Sequence, residues 1–185
     1  LETLLARKPL PEDWEEDTRR GLSVIGSRAE ALGRFMSAYA RLAKLPRPEL
    51  APVEIAPLIE RVAKLELRLQ PIVEMGPSLF IQADRDQLEQ VLINLIKNGV
   101  EAALETQGTV TVGWKRTDAA CEVYVRDTGP GLANTANLFV PFFTTKPGGS
   151  GIGLVLSRQI IEAHGGMLTL RNSPTGRGCE ARITL

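Results

Sequence analysis

The sequence predicts an α+β fold, a two-layer sandwich of helices and antiparallel strands, preceded by one long helix of the coiled-coil type. Three observations lead there. Apolar residues recur at helical steps of three and four over residues 13–45, 57–69 and 84–104. Short alternating runs at 109–114, 121–126, 167–171 and 179–185 are separated by turns rich in Gly, Pro and Thr. Helices mixed with such strands favour α+β.

Composition narrows the class. The 185 residues allow one compact domain plus an appendage. A hydrophobic content of 43% with 24% charged residues suits a soluble globule. Lys plus Arg and Asp plus Glu number 22 each, so no basic excess argues for nucleic acid and no acidic tail is present. No apolar run is long enough to span a bilayer and no signal peptide is legible, so a cytoplasmic chain without membrane contact of its own is expected, with a membrane anchor on the full-length protein left open. Cys121 and Cys179 lie far apart, without metal-ligand spacing. Reduced thiols are the expected state, although the sequence leaves a disulfide open.

Taken in order, residues 1–7 make a short apolar start, and Pro9, Pro11, Glu12 and Asp13 a turn. The helix over 13–45 carries Leu22, Ile25, Ala29, Leu32, Met36 and Tyr39 at alternating steps of three and four, a heptad seam suited to a coiled coil or bundle. A surface helix packed on its own domain is the alternative. Pro46, Pro48 and Pro52 end it and mark 47–52 as a linker. The helix over 57–69 buries Leu58, Ile59, Val62, Leu65 and Leu69, and short strands at 71–75 and 79–83 flank the Gly76–Pro77 turn. Asp84 is a helix N-cap, and the helix to about Leu104 buries Leu88, Val91, Leu92, Leu95 and Ile96. The strands 109–114 and 121–126 form a hairpin through Thr117 and Asp118. The helix 153–163 stops at Gly165–Gly166. The strands 167–171 and 179–185 close the chain through the turn at Pro174, Thr175 and Gly176.

Three segments carry chemistry. Asn94 and Asn98 share a helix face with a spacing of four, and Glu101 follows three residues later. Asparagine is a poor interior helix residue, so the pair either hydrogen-bonds buried backbone or presents a carbonyl oxygen to a hard ion such as Mg²⁺. Asp127-Thr-Gly129-Pro-Gly131 ends a strand; alone it is an ordinary turn. Gly149-Ser150-Gly151-Ile152-Gly153-Leu154 opens a helix, where glycines and free amides can approach an anion. It is neither a P-loop nor a dinucleotide fingerprint.

In their order and separation these segments resemble the ATP-binding domain of sensor histidine kinases, within the superfamily that includes gyrase, Hsp90 and MutL. The resemblance covers about 53–185, with 84–103 as the N-box, 127–131 the G1 box, 139–146 the F-box and 149–154 the G2 box. It implies ATP and Mg²⁺ as ligands, with Asn98 on the metal and Asp127 accepting from the adenine amino group. Gly129 and Gly131 would make room for the purine. Residues 132–149 would form a lid that orders over nucleotide, bringing Phe139, Thr144, Thr145 and Lys146 to the site. Gly149, Ser150, Gly151, Ile152, Gly153 and Leu154 would cradle phosphates. Cys179 stands where relatives often carry threonine near adenine. Hydrolases of the superfamily place a glutamate four residues before the metal asparagine; here Asn94 stands there, and an amide cannot act as a general base. Lys97 and Lys146 are further candidates for phosphate charge, with solvated surface lysine as the alternative.

The helix over 13–45 resembles the second helix of a histidine kinase dimerisation domain, and its wording resembles the nitrogen-regulation type. Residues 1–46 then read as part of that helical hairpin, and 53–185 as the catalytic domain. The resemblance implies a homodimer and a response regulator as partners. The single histidine, His164, ends a helix before two glycines and reads as a helix C-terminal residue facing the dipole. The acceptor histidine is expected upstream of Leu1. An ATP hydrolase of the same fold and a dimerisation scaffold without ATP binding are the alternatives.

Overall fold

A computed structural model describes residues 13–43, 45–117, 120–133, 137–144, 146, 149–173 and 176–185. The chain divides into two compact units, Leu1–Lys44 and Leu45–Leu185. In the first, α1 (Trp14–Ala43) opens with Glu15, Glu16 and Asp17, which suit the positive end of a helix dipole. Its seam residues Leu22, Ile25, Leu32, Met36 and Tyr39 are all more than half exposed. The expected turn at 9–13 lies almost wholly outside the described residues.

The second unit begins with a strand where the sequence suggests linker: β1 (Ala51–Glu54) takes in residues 51 and 52. It leads directly into α2 (Ile55–Leu65), which starts two residues before its expected position. Pro57 is tolerated there because the first turn of a helix needs no N–H at that point. The helix stops at Leu65 rather than Leu69, and Leu67 is 89% exposed. After β2 (Ile72–Glu74) and β3 (Phe80–Ala83) comes α3 (Arg85–Glu105). Asp84 caps α3 as expected, its Oδ1 accepting from the amides of Asp86 and Gln87 at 3.1 Å each.

Completing the order are β4 (Val110–Arg116), β5 (Cys121–Asp127), α4 (Gly153–Ala163), β6 (Met167–Asn172) and β7 (Cys179–Thr184). The strands on either side of Gly76–Pro77 do not pair with each other. β3 pairs antiparallel with β1, Ala51 opposite Ala83, whereas β2 joins the main sheet parallel to β4. That sheet runs β2-β4-β5-β7-β6, antiparallel except at β2, so it is mixed. Parallel neighbours need a long crossover, here supplied by β3 and α3.

Alternation along the strands separates two faces. Val110, Val112, Trp114, Val123, Val125, Ala181 and Ile183 are buried beneath α2, α3 and α4. The opposite face is charged and paired. Arg126 Nε lies 2.6 Å from Glu180 and its guanidinium 4.0 Å from the Tyr124 ring centre. Arg182 reaches Glu180 at 2.5 Å and Glu122 at 3.4 Å, and Lys115 reaches Glu122 at 3.0 Å. Thus α+β holds, with one layer of helices on one side of the sheet.

Candidate functional site

Asp127 is the last residue of β5 and has the phase of Cys121, Val123 and Val125, so it points to the helix side. Gly99 of α3 faces it: a Cβ there would make ordinary contact with the Asp127 Cβ at 3.7 Å. Asp127 Oδ1 accepts from the amides of Gly129 at 2.9 Å and Cys179 at 3.2 Å. Among the described residues no donor reaches Oδ2, which leaves it available as an acceptor. Burial pushes the Asp127 carboxyl above its ordinary range, against the two backbone hydrogen bonds and the charge of Lys146, which pull it down. Beside it the Cys179 thiol is pushed up to about 12 by burial and then by the Asp127 charge, so it stays neutral. Both cysteines are free.

The glycines of this turn are fixed by close approach. A Cβ on Gly129 would lie 2.7 Å from the Cβ of Ala102 on α3, so Gly129 is needed for packing against that helix. Gly131 has φ +82, and Gly178, with φ +87, leaves no room for a Cβ beside the Asp127 carbonyl. Asn172, at the end of β6, was not singled out by the sequence, yet it clasps the next residue. Its Oδ1 accepts from the Leu132 amide at 2.6 Å and its Nδ2 donates to the Leu132 carbonyl at 3.1 Å.

On α3, Asn98 and Asn94 part company. Asn98 Oδ1 accepts from Lys146 Nζ at 3.4 Å, and the same ammonium lies 2.5 Å from Glu101 Oε2. Asn94 instead faces α4: its Nδ2 donates to Ser157 Oγ at 2.9 Å, and its amide fills the space a Cβ on Gly153 would need. Ser157, only 2% exposed, is a second residue the sequence left unmarked. Lys97 is exposed.

Where α4 begins, Ile152 is the N-cap and offers no side-chain cap, so the first amides of the helix are open to an anion. Gly151, with φ +64, packs on the Phe142 and Phe143 backbone, and its carbonyl accepts from the Phe142 amide at 3.0 Å. Thr144 Oγ1 accepts from the Lys146 amide at 3.1 Å, and Gly149 N–H donates to the Lys146 carbonyl at 3.1 Å. Ser150 is exposed and Leu154 half-buried. Phe139 is turned to α4, its ring centre 4.9 Å from the Arg158 guanidinium. Thr145 lies outside the described residues, as do parts of the expected lid.

His164 does more than face the helix end. Its Nε2 accepts from the Asp84 amide at 2.9 Å, which places the ring proton on Nδ1, 2.7 Å from the Ile160 carbonyl. Both ring nitrogens are used, and the ring ties the end of α4 to the start of α3.

The profile of the "Histidine kinase-, DNA gyrase B-, and HSP90-like ATPase" family matches residues 83–185. Among curated proteins, the chain is 33% identical over 180 residues to the C4-dicarboxylate transport sensor protein DctS of Rhodobacter capsulatus, covering 90% of this chain and 27% of that one. It is 40% identical over 130 residues to the sensor protein FixL of Bradyrhizobium diazoefficiens, covering 68% and 25%. The chain therefore spans about a quarter of the length of these relatives. Among solved structures, the catalytic domain of histidine kinase ThkA matches with a TM-score of 0.65 and 29% identity, over 74% of this chain and 95% of that one. Full-length ShkA in complex with AMPPNP matches with a TM-score of 0.70 and 28% identity, over 98% and 40%.

Proposed function

The chain belongs to the histidine kinase-, DNA gyrase B- and HSP90-like ATPase family, with sensor histidine kinases as its relatives, and we propose that it is the ATP-binding catalytic core of such a kinase. The observation that carries the reading is Asp127: one carboxylate oxygen held by two backbone amides, the other without a donor among the described residues, at the end of a buried strand face. An acceptor so fixed suits the exocyclic amine of adenine. From there the uncapped start of α4 offers amides to the phosphates, and Asn98 an oxygen to the metal.

The donor set fits Mg²⁺. Among the described residues no group of three or more His, Cys, Asp or Glu could hold a metal. Mg²⁺ in phosphate sites commonly takes one or two protein oxygens together with phosphates and water. Asn98 Oδ1 already faces a cation in Lys146. Bound there, the ion would neutralise phosphate charge; the protein's part is positioning and electrostatics. Asp127 fixes the base, and Lys146 adds charge beside Asn98. Asn94, committed to Ser157 and unable to take a proton, leaves its position without a base for water. The γ-phosphoryl group would pass to a histidine on a dimerisation helix and then to an aspartate of a response regulator, with α1 pairing against α1 of a second copy.

Calorimetric titration with AMP-PNP and Mg²⁺ tests the core of this. Wild type should bind, and Asp127→Asn should bind about a hundredfold more weakly, because an amide donor then meets the adenine amine. No binding by wild type would sink the ATP reading. Free phosphate released steadily from ATP, at a rate that Asn94→Ala abolishes, would instead make the chain a hydrolase.

A further inference from the structure

Glu101 stands one helical turn beyond Asn98, and two cations share its carboxylate. Oε1 lies 3.7 Å from Arg68 Nη1, on the loop after α2, and Oε2 lies 2.5 Å from Lys146 Nζ. Arg68 is itself held by Glu66 at 2.6 Å. The Lys146 backbone is fixed in its own turn by Thr144 and Gly149, so only the side chain crosses to α3. Its ammonium also lies 3.4 Å from Asn98 Oδ1.

Two features make this contact exchangeable. The side chains of Lys146 and Glu101 remain 41% and 27% exposed, and an ion pair so open to water is weak. Lysine also carries a point charge on a flexible four-carbon stem and can exchange partners without moving its backbone. On Asn98 Oδ1 this ammonium and a metal ion at about 2.1 Å would set two positive charges against one oxygen and repel each other. The contact with Lys146 and the bond to a metal therefore compete.

We propose that Glu101 and Lys146 form a latch on the metal-binding asparagine. Parked on Glu101, Lys146 closes Asn98; the phosphates of a nucleoside triphosphate, carrying more negative charge than one carboxylate, draw the ammonium away and release Asn98 to the ion. Arg68 leaves Glu101 paired when Lys146 departs. This role rests on the ATP reading and assigns Glu101 the opposite task from holding the metal.

Two measurements on the whole chain test it. Thermolysin cleavage within residues 137–144 without nucleotide reports the contact. Glu101→Gln and Lys146→Met should each speed it, and the double variant should be no faster than the faster single one. AMP-PNP affinity in EDTA reports the exchange. Glu101→Gln should tighten binding about two- to fivefold, the fold-change of an exposed ion pair, and Lys146→Met should weaken it. Cleavage unchanged in both variants overturns the latch. So does weaker AMP-PNP binding by Glu101→Gln that appears only with Mg²⁺, the result if Glu101 holds the metal. Cleavage that responds while wild type binds no AMP-PNP overturns the exchange through the ATP reading and not through the contact.

Discussion

At the scale of single residues, the site is assembled against local stability. Asp127 is the clearest case. Burial raises its carboxyl, so the folded chain holds that proton to higher pH than the unfolded chain does. With more protons bound in the native state, stability falls as pH rises through that window, and the ionised form is a net burden above it. An asparagine in its place would keep an oxygen for the amides of Gly129 and Cys179 and remove the buried charge. Asp127→Asn should therefore melt at the same or a higher temperature than wild type at pH 7.5. The difference should shrink below the ordinary aspartate range near 3.8, where both side chains are neutral. A variant that melts lower at neutral pH would show that the carboxylate stabilises the fold. Cys179 supports the same reading, since its neutral thiol adds no second negative charge beside Asp127.

At the scale of elements, two side-chain hydrogen bonds among the described residues link α3 and its cap to α4, which runs antiparallel to it. One is Asn94 with Ser157 and Gly153, and the other is the Asp84 amide on His164. Gly153→Ala should cost about 1 to 2 kcal/mol by pushing α4 off the Asn94 amide, and Asn94→Ala about 1 kcal/mol for the lost part-buried hydrogen bond. Because both act on one contact, the double variant should fall short of their sum by about 1 kcal/mol in urea unfolding; strict additivity would mean that the two residues do not meet. Periodicity made these helices legible, and the Asp84 cap was readable because a side-chain oxygen near free amides is a local matter. The asparagine pair was legible as a helix face, but its division of labour was not. Which asparagine faces Lys146 and which faces Ser157 depends on where α4 docks, a long-range contact without local signal. Asn172 and Ser157 were missed for the same reason. The strands at 71–75 and 79–83 were legible on either side of a Gly-Pro turn, but their partners were not, because strand pairing is set by distant segments: β2 pairs with β4 and β3 with β1.

At the scale of the whole molecule, the two units differ in how they satisfy their apolar residues. The second buries its own, with Trp114, Ile59, Leu88 and Ile160 all nearly inaccessible. The first leaves the seam of α1 in water, and a heptad stripe this exposed needs a partner helix. Sedimentation should find a dimer. Leu22→Glu with Leu32→Glu should give a monomer whose AMP-PNP affinity is unchanged; a monomeric wild type would refute pairing through α1. The charged outer face of the sheet has a different consequence. Buried valines on one face of β5 distinguish odd from even alignments with β7, but not alignments two residues apart. The charges do. In the observed pairing Arg126 is opposite Glu180 and Tyr124 opposite Arg182. A two-residue slip one way sets Arg126 against Arg182, and a slip the other way takes Glu180 from Arg126. The outer face thus acts as a vernier for strand alignment. It fixes the one setting in which the amide of Cys179 arrives opposite the carboxylate of Asp127.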